Sequence, residues 1–546
     1  MQQESAEVRK ARGAFFTPPI LSEFMAQWCL RNASERVFEP SCGEAIFLSA
    51  ATEKLRTLGA KGSLQEQLTG VEIHAESAAL AVKHLAEIDA AAKIIVSSFF
   101  DVPAKPDYDA VIGNPPYIRY QSLTNTERTK ANQAALAQGV RFDGLTNSWA
   151  HFLIHAAGFL RPGGRLALVL PAELLSVNYA APVRQFLMER FERVALVLFK
   201  ERVFPGVLEE VMIVLAEGKG PTDHCELYQA RNTDELGDIK PLRWEPTSNS
   251  GKWMSALLPL KIAEQYRQLI LDERFGTLKD WGETSLGMVT GNNRYFTMSI
   301  NEAHEWGISE RELMRISPPS SKHFRGLMFG KSCWERMRCD RSAVYLFRPT
   351  GNKLSDGAKR YIEHGEKLKI QNAYKCRVRS PWWRVPLAKT SDLFLTYMNH
   401  IGPRLISNNA RVGHLNSIYG VNLTRGVKRL GMDYLPIASL NSFTLLGAEL
   451  IGRAYGGGIL KLEPREADNL PIPSVACIRS CGEQLRALQP QLARAFRHNN
   501  LEEIVKHVDK IVLQESLGLD QCEFECIHEG RRIMIERRLA RSGKVL

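Results

Sequence analysis

The sequence predicts an α/β protein: a doubly wound, mostly parallel sheet over residues 1–220, followed by an α+β region and a helical tail. Three observations carry this expectation. In the first 220 residues, near-continuous apolar runs of strand length alternate with helix-length segments, as when crossover helices cover both faces of a sheet. From about residue 221 the rhythm breaks into short strands, aromatics and arginines, and from about 476 the chain reads as helical. Charge divides at the same place: residues 1–220 carry 23 basic and 24 acidic side chains, and the remainder 48 and 36.

The elements follow in order. ILSEFMAQWCL puts Ile20, Leu21, Phe24, Met25, Trp28 and Cys29 on one helical stripe. RVFEP is a short strand stopped at Pro40, and EAIFLSAATEKLRTLG a helix closed by Gly59. LTGVEI is the next strand and AESAALAVKHLAEIDA the next helix. KIIVSS, YDAVIGN, LALVLP, VALVLF and VMIVLA complete the strands. Open sheets of this type bind ligands at the carboxyl ends of their strands. GKGPTDH and EPTSNSGKW read as loops. The expected parts are therefore a first domain over 1–220, a connecting segment over 221–274, a third region over 275–475 and a helical segment over 476–546.

The 546 residues suffice for two or three domains with cores of their own. A hydrophobic fraction of 44% and a charged fraction of 24% are those of a soluble globular chain. No apolar run reaches the ~18 residues of a membrane span. The N-terminal MQQESAEVRKARG lacks the apolar core of a secretory signal, so a cytoplasmic location is expected. The ten cysteines are scattered. The pairs Cys477/Cys481 and Cys522/Cys526, with His528 nearby, read either as thiols on one helix face or as zinc ligands; no metal is expected. The net charge of +11 concentrates in 321–385, where 16 basic residues face 5 acidic ones. That surface is either a polyanion-binding face or a solvated one.

Polar or turn-forming residues stand at the strand tips. Glu39 ends the first strand before a Pro40-Ser41-Cys42-Gly43 turn. A carboxylate there suits an ammonium, a ribose hydroxyl or a helix N-terminus. The turn has neither a full G-x-G-x-x-G nor the Lys-Ser/Thr of a phosphate loop. Glu72 ends the second strand, where dinucleotide folds hold ribose hydroxyls. The fourth ends in GNPPY, and consecutive prolines cannot continue a central strand because neither has an N–H. Such a rigid turn can hold an aromatic amine. The Asn114 side-chain oxygen and the Pro115 carbonyl would each accept one N–H, freeing the nitrogen lone pair for an electrophile. Tyr117 would stack on the ring, and Pro116 helps fix the geometry in advance. The plain alternative is a turn that only ends a strand.

Together these motifs resemble the gamma-class, or Taq-type, S-adenosylmethionine-dependent DNA methyltransferases that methylate adenine N6. GAFFTPP, with Thr17, is similar to the family's first motif; FEPSCGEAIFL to its cofactor loop; GVEIHAE to its ribose-binding motif; and GNPPY to its catalytic motif. RVFPGVLEEVMIVL resembles a segment whose Phe204 packs on a flipped base opposite Tyr117. The resemblance implies a seven-stranded Rossmann-like sheet and a target-recognition domain over 275–475. It implies S-adenosylmethionine as cofactor, held by Thr17, Glu39, Pro40, Ser41, Cys42, Gly43, Glu72, Ile73, Ser98, Phe99 and Asn114. It also implies double-stranded DNA as partner, a separately encoded restriction endonuclease, and action as a monomer. Two departures stand out. Ala45 replaces a common second glycine, and fits if its backbone is not at positive φ. Ser98, with Asp101 three residues later, replaces an Asp for the cofactor's adenine, while Phe99 remains to stack on that ring.

The basic half then has DNA to bind. Arg294, Lys322, Arg325, Arg377, Arg379, Arg384 and Arg411 are the candidate contacts, on phosphates more than on bases. Trp382 and Trp383 either wedge into the duplex or belong to a core. The Asn-Pro-Pro-Tyr signature also occurs in methyltransferases of rRNA bases and of protein glutamine; the early FFTPP motif and the long basic tail favour DNA. A DNA-binding specificity protein with an inactive methylase fold is the alternative outside enzymes. The ~70 helical residues at the end are too few for an ordinary nuclease domain.

Overall fold

The computed structural model describes residues 17–201, 203, 210–237, 239–351, 353–455, 457–497 and 500–540. The chain divides into two units, Met1–Leu260 and Lys261–Leu546.

Among the described residues, the first unit is built on nine strands: β1 (Val37–Glu39), β2 (Leu68–Glu72), β3 (Lys93–Val96), β4 (Tyr108–Gly113), β5 (Leu160–Pro171), β6 (Arg193–Phe199), β7 (Val211–Glu217), β8 (Cys225–Ala230) and β9 (Leu242–Trp244). Their order is β3-β2-β1-β4-β5-β7-β6-β8-β9. Pairing is parallel from β3 through β5, while β7 runs antiparallel to both β5 and β6. The chain winds outward from β1 to β3 through the helices Ile46–Thr57 and Ala75–Glu87. It then returns to place β4 on the other side of β1. That reversal opens a crevice at the carboxyl ends of β1 and β4, where such folds bind ligands.

The central strands β1, β2 and β4 are buried almost throughout, which their apolar runs require. Gly70 of β2 is there for space: a Cβ would sit 2.9 Å from the Cys42 sulfur. The sheet has two strands more than the seven expected. β8 and β9 come from the segment expected to be a connector. Cys225 and Leu227 are buried, while Glu226 forms a two-armed ion pair with Arg193 of β6 at 2.9 and 2.8 Å. That pair lets a half-polar segment join a sheet.

Among the described residues, the second unit holds four small antiparallel sheets of two, four, three and three strands. Its largest pairs Gly282–Leu286, Tyr419–Leu423, Leu393–Leu395 and Leu405–Ser407. An aromatic core including Phe296, Phe329, Trp334, Phe347 and Phe394 packs beneath them. The C-terminal helices lie within this unit. Gln521–Ala540 packs on Ser442–Ile451, pinned by the buried pair Arg538–Glu449 at 2.7 Å. Among the described residues, no single helix is long and apolar enough to cross a membrane.

Candidate active site

Three strand tips and the start of the described chain converge at the crevice. Gly113 closes β4 directly against the β1 tip: a Cβ there would lie 3.4 Å from Pro40 and 3.5 Å from Glu39. The Asn114 side-chain nitrogen donates to the Thr17 hydroxyl at 3.2 Å. Ser41 Oγ lies 3.4 Å from the Asn114 carbonyl. Thr17, Glu39 to Gly43 and Asn114 are thus neighbours.

The two glutamates at the tips have different surroundings. Glu39 is buried, and its Oε2 has no hydrogen-bond partner among the described residues. Burial drives its carboxyl well above the usual range, offset by the Leu48 N–H in the first turn of the helix Ile46–Thr57 and reinforced by Glu72. Glu72 is engaged on both oxygens by backbone N–H groups, Gly43 at 2.9 Å and His74 at 2.8 Å. It fastens the Pro40–Gly43 turn to β2, and each oxygen keeps a second lone pair for a ligand hydroxyl. Next to it Ile73 is 55% exposed, an apolar surface at a strand tip. The turn needs left-handed backbone twice, at Gly43 with φ +50°, which glycine adopts freely, and at Ala45 with φ +68°, where it is strained. The condition on which Ala45 was expected to fit does not hold, since its backbone is left-handed. The methyl is tolerated in a fully buried position at a cost of about 1–2 kcal/mol.

The GNPPY turn is held from below. Ser148, at the start of the helix Ser148–Ala157, donates through Oγ to the Pro116 carbonyl and accepts the Ile118 N–H at 2.8 Å. Its own N–H donates to the Ile118 carbonyl at 3.0 Å. Asn147 Oδ1 accepts the Tyr120 N–H at 3.1 Å. Sequence reasoning missed this pair, although Asn-Ser before an apolar helix is a usual start signal. Tyr117 is half-buried, and its hydroxyl lies 2.8 Å from Asn114 Oδ1 and 3.1 Å from the Val169 carbonyl. Two histidines of the helix Ser148–Ala157 are poor bases: burial lowers His151 to about 4 and lowers His155 as well.

Several expected residues lie elsewhere. Phe99, expected to stack on the cofactor's adenine, is 3% exposed and packed among Phe38, Phe152, His155 and Phe159. The short 3-10 turn Phe99–Asp101 turns its ring into the core and leaves Phe100 half-exposed. Asp101 is paired with Lys130 at 2.7 Å, while Ser98 is half-exposed. Phe204 lies outside the described residues. Of the basic candidates, Arg294, Lys322, Arg325, Arg377, Arg384 and Arg411 are exposed. Arg379 is not a free cation: its guanidinium donates to the carbonyls of Thr290, at 2.8 Å, and Val289. Trp382 and Trp383 pack against the second unit's core, with Trp382 Nε1 donating to Glu366 at 3.2 Å. Cys477 and Cys481 lie on the buried face of the helix Val475–Ala487. Among the described residues, no three His, Cys, Asp or Glu side chains cluster as metal ligands would.

Residues 1–250 match the family model described as N-6 DNA Methylase. This part of the chain is similar to N-6 DNA methylases. Residues 250–513 match a second model, the C-terminal domain of Type II methyltransferase M.Eco57I. Among curated proteins, Type II methyltransferase M.AccI of Acinetobacter calcoaceticus is 24% identical over 522 residues, 93% of this chain and 94% of its own. Type II methyltransferase M.XamI of Xanthomonas campestris pv. amaranthicola is 24% identical over 476 residues, 85% of each chain. Among solved structures, that of the Type IIL restriction-modification enzyme MmeI in complex with DNA aligns with a TM-score of 0.56 at 12% identity. It covers 92% of this chain and 73% of that one, a likeness of fold alone. The methylase is a DNA methyltransferase of the restriction-modification kind.

Proposed function

We propose that this methylase transfers a methyl group from S-adenosylmethionine to N6 of an adenine swung out of duplex DNA, with its motifs in the gamma order. The observation that carries this reading is the buried, unpartnered Glu39 oxygen beside the Asn114–Tyr117 turn. A buried carboxylate without a counter-charge is costly, and the methionine ammonium of the cofactor would supply one. Glu72 offers its free lone pairs to ribose hydroxyls, and Ile73 offers one face for the adenine. When bound, the cofactor supplies an electrophilic methyl group on a sulfonium.

The chain's part is to hold the acceptor. Asn114 Oδ1 and the Pro115 carbonyl take the two hydrogens of the target amine, which localises the lone pair on nitrogen. The proton leaves after transfer, so no strong base is needed, and the neutral His151 and His155 agree with that. The Tyr117 ring covers one face of the extruded base, with Phe204 proposed for the other. Extrusion costs a few kcal/mol of stacking, and exposed cations of the second unit, including Arg294, Lys322, Arg325, Arg377, Arg384 and Arg411, hold the duplex. The protein acts as a monomer in the cytoplasm, as the modification partner of a separately encoded endonuclease.

The test is transfer of labelled methyl groups from the cofactor to duplex DNA, RNA and protein in parallel. Label should enter adenine of duplex DNA, and Asn114→Ala should lower the rate ~100-fold or more. Label appearing in RNA or protein instead, or an unchanged rate for Asn114→Ala, overturns the reading.

A further inference from the structure

One surface of the second unit combines charge with uncovered apolar side chains. Between Lys367 and Ser391 the chain has seven basic residues and no acidic one. Leu368, Tyr374 and Val378 are 55%, 65% and 65% exposed within this run. Single exposed hydrophobics are ordinary, but three within eleven residues of a basic run are a reason to look for a partner there. They belong to one rigid piece. The 3-10 turn Ile370–Asn372 packs on both the preceding helix Asp356–Lys367 and the following turn Tyr374–Arg377. Successive hydrogen bonds, Asn372 to Lys369, Ala373 to Ile370 and Cys376 to Ala373, run through it.

The underside explains the display. Cys376 is fully buried, its thiol 3.6 Å from the Thr290 carbonyl, and Arg379 donates to that same carbonyl. These two anchors point inward, so Tyr374, Arg377 and Val378, on either side of them, face solvent. Lys375 Nζ lies 5.4 Å from the Tyr374 ring centre, which places a cation over an aromatic face.

We infer that this ledge enters the DNA, with Tyr374 as an apolar probe stacking on a base or a thymine methyl and Lys375 and Arg377 seated on flanking phosphates. The inference rests on the reading of the protein as a duplex DNA methyltransferase and assigns a contact within it. Charge complementarity selects the partner, since the seven basic side chains of this run outnumber the neighbouring exposed Glu363 and Glu366 and suit a phosphate backbone. Aromatic rings among cations suit bases as well as phosphates. A solvated basic face would need no exposed Tyr, Leu and Val.

The experiment uses the full chain and unmodified bacteriophage λ DNA, measuring methyl transfer and salt-dependent DNA binding for wild type, Tyr374→Ala, Tyr374→Phe and Lys375→Ala/Arg377→Ala. Wild-type methylation of this DNA establishes the underlying reading on its own. Tyr374→Ala should then lose on the order of tenfold in kcat/KM for DNA, and Tyr374→Phe should retain wild-type activity. The double variant should lower the slope of log affinity against log salt by about 2. Cofactor affinity and Tm should not change, since the replaced side chains are exposed. An active wild type with Tyr374→Ala and the double variant both unaffected overturns the ledge. Equal loss of heparin binding by Tyr374→Ala also overturns it, because heparin has phosphate-like charge and no bases.

Discussion

The Tyr117 hydroxyl sits 2.8 Å from Oδ1 of Asn114, the atom that would accept a hydrogen of the target amine. The orientation of that amide is set from its other end, where Nδ2 donates to Thr17. Tyr117 has one proton, to be shared between Asn114 and the Val169 carbonyl at 3.1 Å. Before DNA arrives, the phenol thus holds the place of the amine. Tyr117→Phe keeps the ring and removes that competitor, so kcat/KM should stay within about threefold of wild type or rise. Tyr117→Ala should lose tenfold or more, because base stacking on an aromatic is worth about 1–3 kcal/mol. Steady-state kinetics on duplex DNA decide it: equal losses for Phe and Ala would mean that the hydroxyl, not the ring, does the work.

Glu39 gives a pH prediction. Its carboxyl is raised by burial, so the free protein holds it protonated above the pH at which the unfolded chain would lose that proton. The folded state then binds more protons than the unfolded state over that window, and stability falls as pH rises through it. The cofactor ammonium needs the ionised form. Cofactor affinity should therefore rise with pH up to the raised pKa and then level off, with protons released on binding. Calorimetry in two buffers of different ionisation enthalpy would measure the release. Glu39→Gln should abolish both the release and the pH dependence and weaken binding tenfold or more, without lowering Tm. A variant that still releases protons would remove Glu39 from the site.

The turn glycine and its alanine neighbour should respond unequally. Gly43 has φ +50°, and a Cβ there would meet nothing within 4 Å. Gly43→Ala therefore carries the left-handed backbone cost of about 1–2 kcal/mol, offset in part by lost unfolded-chain freedom of about 0.4–1 kcal/mol, with no clash. Ala45→Gly relieves a similar cost. It also loses a buried methyl worth about 0.8 kcal/mol and gains unfolded-chain freedom worth about 0.4–1 kcal/mol. The terms nearly cancel, so its Tm should stay close to wild type. Thermal unfolding of the two variants tests this; a large loss for Ala45→Gly would mean that its methyl packs more tightly than burial alone suggests.

The site was legible where one residue type was forced by backbone position. Pro115 and Pro116 had to end β4, and Glu39 and Glu72 stood after runs too apolar to be anything but buried strands. What depended on the parity of a short turn was not legible: Phe99 and Phe100 are adjacent and chemically alike, and only the 3-10 turn decides which ring is buried. Partners distant in sequence were hidden for a similar reason. Arg379 counted as a free cation until the carbonyls of Val289 and Thr290 came beneath it. β8 was missed because it lies between two segments that read as loops, and the ion pair of its Glu226 with Arg193 is a tertiary fact.

Ser148 tests whether the catalytic turn is rigid by itself or is held. Proline fixes φ within the turn but not the turn's position relative to β4 and β5. Ser148 supplies that with bonds to Pro116 and Ile118 on either side of Tyr117. Ser148→Ala removes the hydroxyl and leaves the half-buried Ile118 N–H and Pro116 carbonyl without it, a loss of about 1 kcal/mol. The Ile118 carbonyl still accepts the backbone N–H at position 148, so the helix start should persist. Cofactor affinity should be unchanged, because the Glu39 and Glu72 side is untouched. The loss should appear in kcat, tenfold or more, since a small misplacement of Asn114 and Tyr117 affects the reacting geometry more than ground-state binding. Single-turnover kinetics beside cofactor titration make the distinction. A fall in Tm with unchanged kcat would show that the prolines alone hold the turn.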